Sequence, residues 1–479
     1  MHFMGEFMIM QKEYNQCKKS ESCKDCQSSD FCMAWVDYVK NHGEEKPYSH
    51  FDKRVSLKMP SIRQYVLNPQ NIKAHGFYPF IHFEKKNSRY GKKGSKKPRE
   101  LYYCAHLDRC VYQRYAFLIN YKYNLWVKEN GIDDVAIAYR DNLGKNNIHF
   151  AKYAFSTVQN FEKCFVIVGD FTNFFDNLEH SYLKAMLCKV LGVERLPEDY
   201  FSVFKSITRF SSWDWKALVE AAGENICEPG IRTKLNKKER IITREQFQKN
   251  KTAIVKNKDK VGVPQGSPIS AVLSNVYMIE FDEYVKRYVT NYGGTYMRYS
   301  DDFIIILPYN EKSEVGQHVD LIFSYVRSMK GLIDLQKEKT SCYIYEDGVV
   351  YNYTENKPDS ISYLGFIFDG KKTRLRPRAI TKYYYRMRRK AHTIGRHHWK
   401  SPKGKRISAK KLYSIYSKND ERQTFIDYAK KAKRILKLND SETDALIKRH
   451  KEKIALAIKE GEKANPISEH GKKMGQKEG

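Results

Sequence analysis

Long apolar runs are missing from this chain. None approaches the roughly 20 consecutive apolar residues that cross a bilayer, so no spanning helix is expected. The opening MHFMGEFMIMQKEYNQ lacks a basic segment followed by a long apolar one, so a secretory leader is not expected either. No internal repeat is visible. Acidic residues are scarce beside basic ones: 56 Asp and Glu stand against 86 Lys and Arg, for a net charge of +30. That excess is well beyond what solubility needs. It points to a polyanionic partner, with nucleic acid ahead of an anionic membrane surface. With 41% apolar residues, wholesale disorder is excluded and a sizeable core is expected. The 479 residues allow two or three domains, or one multi-lobed unit. The expectation is a cytoplasmic, nucleic-acid-handling protein with no membrane partner.

The ten cysteines carry two readings. With no leader expected, the chain is expected in a reducing compartment, where most thiols stay free. Four of them cluster in CKKSESCKDCQSSDFC, namely Cys17, Cys23, Cys26 and Cys32. Four thiolates can hold a tetrahedral zinc, and the Cys23–Cys26 gap suits it. The wider flanking gaps are unlike common zinc ribbons, so free thiols are preferred.

Charge and periodicity divide the chain. Residues 1–50 form a Cys- and Lys-rich extension, helical around FCMAWVDYVK. EKKNSRYGKKGSKKP (84–98) is a basic, glycine-containing loop, and a second basic stretch runs from Lys234 to Lys260. From Arg378 to about Lys463 the pattern is helical and strongly basic, with a flexible tail over 464–479. Within it, Ser441 and Asp444 match a capping box. Solvated helix faces explain many of these lysines. The dense mixture of Arg, Lys and Tyr in TKYYYRMRRKAHTIGRHHWK suits nucleic-acid phosphates and bases better.

Three short segments carry the chemistry. In MRYSDDFIIIL (297–307), β-formers flank Asp301 and Asp302, which reads as strand, tight turn and strand. A solvated turn is the bland explanation. Two adjacent carboxylates between buried arms otherwise require a compensating cation. In CFVIVGDFTNFFDNLEH, the strand Phe165–Val168 delivers Asp170 at its C-terminal end, a common catalytic placement. A helix is expected to start near Asp176, the better cap candidate of the two aspartates. In VGVPQGSPISAVLSNVYMIEFDEYV, Ser267 and Pro268 read as N-cap and first helical residue. Ile269, Leu273, Val276, Tyr277, Phe281 and Tyr284 then recur at helical spacing. Gly262 and Gly266 allow close backbone approach to a ligand and project Gln265 from the loop. Asp170, Asp301 and Asp302 can converge as hard oxygen ligands for Mg2+, with Mn2+ the alternative. Two such ions, roughly 3.5–4 Å apart, would serve a phosphoryl transfer.

The ordered set Asp170–x4–Phe175–Asp176, then VPQGSP, then YSDD resembles the palm of reverse transcriptases. The resemblance covers roughly residues 55–440 and implies an α+β, right-hand polymerase: fingers and palm with an antiparallel sheet and catalytic hairpin over 51–370, and an all-helical thumb over 371–463. It implies an RNA-directed DNA polymerase using dNTPs, an RNA template and a DNA product. GLIDLQKEKTS is similar to the next palm element. There Lys339 matches the lysine that protonates pyrophosphate, although Gln336 stands where the family often has Asn. SYLGFIFDG resembles the primer-grip hairpin, centred on Leu364 and Gly365, and RELYYCAHLDRCVYQ resembles the fingers of bacterial group II-like enzymes. By resemblance, Arg99 and Lys97 bind the triphosphate. The backbone at Phe171 and Thr172 lines the triphosphate and one metal, and Gln265 and Gly266 pack near the nascent base pair. Phe175 matches the steric gate against a ribose 2′-OH, leaving Phe174 to the core.

No retron-type Asn-Ala-x-x-His or Val-Thr-Gly element follows the palm, and neither a nuclease module nor an RNase H domain is expected. AYRDNLGKNNIHFAKYAF (138–155) and LGFIFDGKKTRLRPRAITKYYYRM are similar to tracts of abortive-infection and other defence-associated bacterial enzymes. That resemblance implies antiphage defence, with a dedicated non-coding RNA or a protein primer. Oligomerisation is common in that group. Tyr383, Tyr384 and Tyr385 are among 35 tyrosines offering hydroxyls for priming, and nothing in the sequence singles one out. The competing readings are a retron- or group II-like enzyme outside defence, a palm-type RNA polymerase, which the Phe175 gate disfavours, and an inactive nucleic-acid-binding scaffold.

Overall fold

The computed structural model describes residues 29–85, 99–329, 331–335, 340–400, 406–417 and 423–464. The strands among these residues are β1 (Phe80–Lys85), β2 (Arg99–Tyr103), β3 (Lys163–Asp170), β4 (Ser211–Asp214), β5 (Ile254–Lys256), β6 (Thr295–Tyr299), β7 (Asp302–Pro308), β8 (Ser341–Glu346), β9 (Val349–Asn352), β10 (Ile361–Tyr363), β11 (Phe366–Phe368) and β12 (Thr373–Leu375). The helices that carry or brace the candidate residues are α1 (Ser29–His42), α2 (His106–Glu129), α3 (Asn147–Asn160), α4 (His180–Leu191), α5 (Ser270–Tyr277), α6 (Ile279–Asn291), α7 (Pro377–Arg396), α8 (Phe425–Leu436), α9 (Ser441–Lys448) and α10 (His450–Lys463). The fold is mixed α+β, as expected. No helix among the described residues is long and apolar enough to cross a membrane.

The chain divides into two compact units, each built from separate stretches. The first comprises 1–140, 171–286 and 322–335, and the second 141–170, 287–321 and 336–479. The first unit holds the mixed sheet β2-β1-β4-β5, in which β1 pairs antiparallel with β2 and parallel with β4. Its core gathers Trp213, Leu218 and Ile241 around Ile81. The helix read around FCMAWVDYVK is α1, whose Phe31, Trp35 and Val39 recur every fourth residue and are buried. The Arg114 guanidinium on α2 lies 4.7 Å from the Trp35 ring centroid, a cation–π contact.

The second unit holds the antiparallel sheet β6-β7-β3-β8-β9. Its central strand β3 is buried from Cys164 to Asp170, so its apolar residues run continuously instead of alternating. A smaller antiparallel sheet, β10-β11-β12, packs its first strand against β3. From Pro377 onward the described regular elements are helices. In this region α7 packs extensively on α10. The contact is close: a Cβ on Gly395 would lie 2.1 Å from the Ile458 carbonyl oxygen.

Three expected helix starts are displaced. The helix placed near Asp176 begins at His180, capped by the Glu179 carboxylate, which accepts from Ser181 and Tyr182 N–H. Phe174–Asp176 form a single 3-10 turn. The helix placed at Ser267–Pro268 begins at Ser270, because Pro264–Ser267 is held in a turn and the Ser270 hydroxyl donates to the Pro264 carbonyl at 2.8 Å. The Ser441–Asp444 box is not used. Asp440 is the cap, accepting from Thr443 N–H at 2.7 Å. A capping box does form at Thr424–Asp427, at the start of α8.

Candidate functional site

The second unit carries the carboxylates. β3 and β7 pair with Cys164 opposite Pro308 and end with Asp170 opposite Asp302. β6 and β7 are joined by Ser300 and Asp301, a two-residue turn. Ser300 holds φ +63°, a conformation that strains a non-glycine residue. The turn is braced from within: Arg298 is fully buried and its Nη1 donates to the Ser300 carbonyl at 3.0 Å. A buried cation thus sits beside the turn of the hairpin, the kind of compensation two adjacent carboxylates require. Asp170 is 9% exposed and Asp301 and Asp302 are half-buried.

Gly169 makes this pairing tight. It lies opposite Phe303, and a Cβ at Gly169 would come within 2.3 Å of the Phe303 ring. The ring lies across the glycine and fills the space a side chain would occupy.

Hard oxygen donors paired at the end of two strands fit a hard divalent cation. Among the described residues, no three His, Cys, Asp or Glu side chains are gathered to hold one. The strand register brings Asp170 and Asp302 together with Asp301 adjacent.

The hairpin containing Leu364 and Gly365 belongs to the same unit. Tyr363 pairs with Phe366, leaving Leu364 and Gly365 as the turn, at φ +46° and +94°. Two positive φ values suit the tight turn that matches strand twist. The Tyr363 side chain is 1% exposed, and its hydroxyl finds no hydrogen-bond partner among the described residues. Burial, and then the nearby Asp302 carboxylate, push this phenol far above its ordinary pKa.

The first unit carries the residues assigned to the nucleotide. Arg99 is exposed at the start of β2. The Gln265 carbonyl accepts from Tyr102 N–H, on the same strand, at 2.9 Å. Gly266 holds φ +119°, and a Cβ there would lie 2.4 Å from the Tyr102 carbonyl oxygen. Val263 N–H donates to the Phe175 carbonyl at 2.9 Å, and Gly262 N–H to Leu178 at 2.9 Å. Backbone hydrogen bonds thus stitch the glutamine loop to β2 on one side and to the Phe175 segment on the other. Burial, with Glu100 and Asp176 adding to it, pushes the Tyr102 phenol up to about 12. Phe174 is buried and Phe175 half-buried, their ring centroids 5.6 Å apart. Phe171 is buried against Phe174 and Phe281, and Thr172 N–H donates to the Asp334 carbonyl at 2.8 Å. That donor is engaged within the fold and does not face outward to a phosphate.

Lys97 and Lys339 lie outside the described residues, as do Cys17, Cys23, Cys26 and the tail from 465. Cys32 lies half-buried on α1. Of the three adjacent tyrosines, Tyr383 is buried and donates its hydroxyl to the Tyr416 carbonyl, while Tyr384 accepts from the Lys453 ammonium at 2.8 Å. Sequence reasoning passed over Gly169, Arg298 and Tyr363. Arg298 alone had a visible signal, a charge inside a β-forming run.

A sequence-family model described as "Reverse transcriptase (RNA-dependent DNA polymerase)" matches residues 92–368, more than half of the chain. The chain belongs to the reverse transcriptase family. Membership assigns its α+β fold to the right-hand polymerase class, as the ordered motifs implied. Solved structures similar to this reverse transcriptase include two telomerases. Apo telomerase from Candida tropicalis, truncated from the C-terminal domain, has a TM-score of 0.41 and 11% identity, over 62% of this chain and 55% of that one. Telomerase from Candida albicans, in complex with a TWJ fragment of telomeric RNA, has a TM-score of 0.38 and 14% identity, over 92% of this chain and 62% of that one. The reverse transcriptase thus spans less than two thirds of either telomerase chain, and likeness this slight carries no functional argument. No curated protein matches the chain.

Proposed function

We propose that this reverse transcriptase extends DNA on an RNA template by two-metal phosphoryl transfer, and that it serves antiphage defence. The observation that carries the polymerase reading is the register placing Asp170 opposite Asp302 at the end of β3 and β7, with Asp301 in the adjoining turn. In this reading the chain has fingers and palm over 51–370, a basic thumb over 371–463, an N-terminal extension over 1–50 and a tail over 464–479.

Asp170, Asp301, Asp302 and the Phe171 carbonyl hold the cations. Bound Mg2+, or Mn2+ in its place, supplies activation of the attacking 3′-hydroxyl and charge neutralisation at the leaving oxygen. Arg99 and Lys97 fork onto the triphosphate, and Thr172 contributes through its position rather than its engaged N–H. Gln265 and Gly266 bound the new base pair, and their backbone ties to β2 fix that boundary relative to Arg99. Phe175 excludes the ribose 2′-OH. Lys339 returns a proton to pyrophosphate. Leu364 and Gly365 hold the primer end, and the thumb's cations follow the duplex backbone.

The similarity of segments 138–155 and 364 onward to defence-associated enzymes supports the defence role. It also supports a non-coding RNA template or a protein primer, a cytoplasmic setting and self-association. If a tyrosine among 383–385 primes, the engaged hydroxyl of Tyr383 disfavours that residue.

The test is incorporation of labelled dNTPs by purified protein with Mg2+, with and without an RNA template and DNA primer. Asp301→Ala and Asp302→Ala variants run alongside. Primed synthesis is expected, falling at least roughly a hundredfold in either variant without loss of the folded state, and ceasing when the cation is chelated. Unprimed product that stays with denatured protein would support protein priming. No product on a primed RNA with Mg2+ or Mn2+ would favour the scaffold.

A further inference from the structure

Within the tract 138–155, Asn147 does something specific. It is the first residue of α3. Its Nδ2 donates to the Leu364 carbonyl at 3.0 Å and to the Tyr428 phenol oxygen at 2.9 Å. A carboxamide nitrogen has two N–H donors, and both are used, on partners 217 and 281 positions away.

Each partner matters. Leu364 occupies a left-handed conformation at φ +46°, which persists in a non-glycine residue only where the surroundings impose it. The Asn147 amide is one restraint, and the Gly365 carbonyl, accepting from Arg376 N–H at 3.0 Å, is another. Tyr428 lies on α8, its ring stacked on Phe366 at 6.3 Å and on Phe425 at 6.0 Å. The anchor itself is fixed. Asn146 and His149 form a capping box, and Phe155 stacks on Phe368 of β11 at 5.1 Å. One side chain on a rigid helix therefore ties the turn between β10 and β11 to a helix of the C-terminal region. Nearby Tyr299, just before the Ser300–Asp301 turn, adds to the upward push on the Tyr428 phenol behind burial.

We propose that Asn147 is a positioning residue: it locks the Leu364–Gly365 turn to α8 and so sets where the 3′ end of the growing strand is held. This rests on the reading of that turn as the primer grip. Duplex affinity is spread over many phosphate contacts, whereas the reaction rate depends on placing one hydroxyl. Asn147 should therefore act on turnover rather than on binding.

The experiment compares Asn147→Ala, the isosteric Asn147→Asp, which offers no N–H donor, Tyr428→Phe, and the Asn147→Ala/Tyr428→Phe double variant. Single-nucleotide addition on a defined primer and RNA template is measured with duplex affinity, thermal midpoint and hydrogen exchange over 361–368. Asn147→Ala and Asn147→Asp are expected to lower kcat about tenfold. Duplex Kd should change less than about twofold and the thermal midpoint little. Tyr428→Phe should have a smaller effect, and the double variant should be no worse than Asn147→Ala, because the two share one contact. Exchange in the turn should quicken in Asn147→Ala. Unchanged kcat, strictly additive losses, or a kcat loss matched by the same loss in duplex affinity or a lowered midpoint would overturn the proposal. If the wild-type protein extends no primer, the polymerase reading fails separately, and exchange decides the lock: quickened exchange upholds it and unchanged exchange overturns it.

Discussion

Replacing Gly169 with alanine tests the packing that sets the carboxylates. The added Cβ would lie 2.3 Å from Phe303 Cζ and 2.4 Å from Cε1, where carbon atoms prefer about 3.5–4.0 Å. The ring must retreat by more than roughly 1 Å, yet Phe303 is 1% exposed and has nowhere to go. Overpacking of this kind costs about 1–3 kcal/mol. The upper part of that range is expected, because a rigid ring, not a flexible tip, is displaced. The alternative relief is a shear of β3 against β7. Asp170 follows Gly169 and Asp302 precedes Phe303, so a shear moves the two carboxylates directly, and a 1 Å misplacement costs roughly a hundredfold in rate. Denaturant midpoints and single-turnover primer extension measure both effects. Phe303→Leu restores room, so the double variant should be more stable than Gly169→Ala alone. An unchanged midpoint and rate in Gly169→Ala, or a double variant less stable than either single, would refute the reasoning.

Phe175→Ala should raise the ratio of ribonucleotide to deoxyribonucleotide incorporation by on the order of tenfold or more, and an unchanged ratio on primed RNA would remove Phe175 from the gate. Tyr363→Phe deletes a buried hydroxyl that has no partner among the described residues. An unsatisfied buried polar group costs about 1–3 kcal/mol, so the variant should gain about 1 kcal/mol and melt at a higher temperature. A lower melting temperature would mean that the hydroxyl is satisfied in solution.

The catalytic hairpin and the strand before Asp170 were legible because β-branched and aromatic runs broken by a short polar turn have few other solutions. The buried faces of α1 and of α5 with α6 were legible from their periodicity. The helix starts were not. Ser267–Pro268 has the composition of a cap, but the loop is held by Tyr102 N–H on the Gln265 carbonyl, a contact from more than 160 positions away. Glu179 and Asp440 took caps assigned to Asp176 and Ser441, since several acceptors within three residues compete and tertiary fit selects one. Gly169 and Asn147 were invisible for the same reason: their roles exist only opposite Phe303 and beside Leu364. Arg298 could have been flagged, because a charge within a buried strand demands a partner.

The interleaving of the two units also bears on how the protein is made. Asp170 and its cross-strand partner Asp302 are 132 positions apart, and β3 pairs on its other edge with β8, which is later still. At roughly 5–20 residues per second, β3 is synthesised roughly 7–28 seconds before β7 is complete. Through that interval CFVIV is a nascent apolar segment with both edges open, the form most prone to pairing with another chain. Slow synthesis, a crowded polysome or a shortage of chaperones should therefore penalise yield at this strand first. A frameshift or pause between Asp170 and Asp302 should leave an aggregating fragment rather than a partly active enzyme.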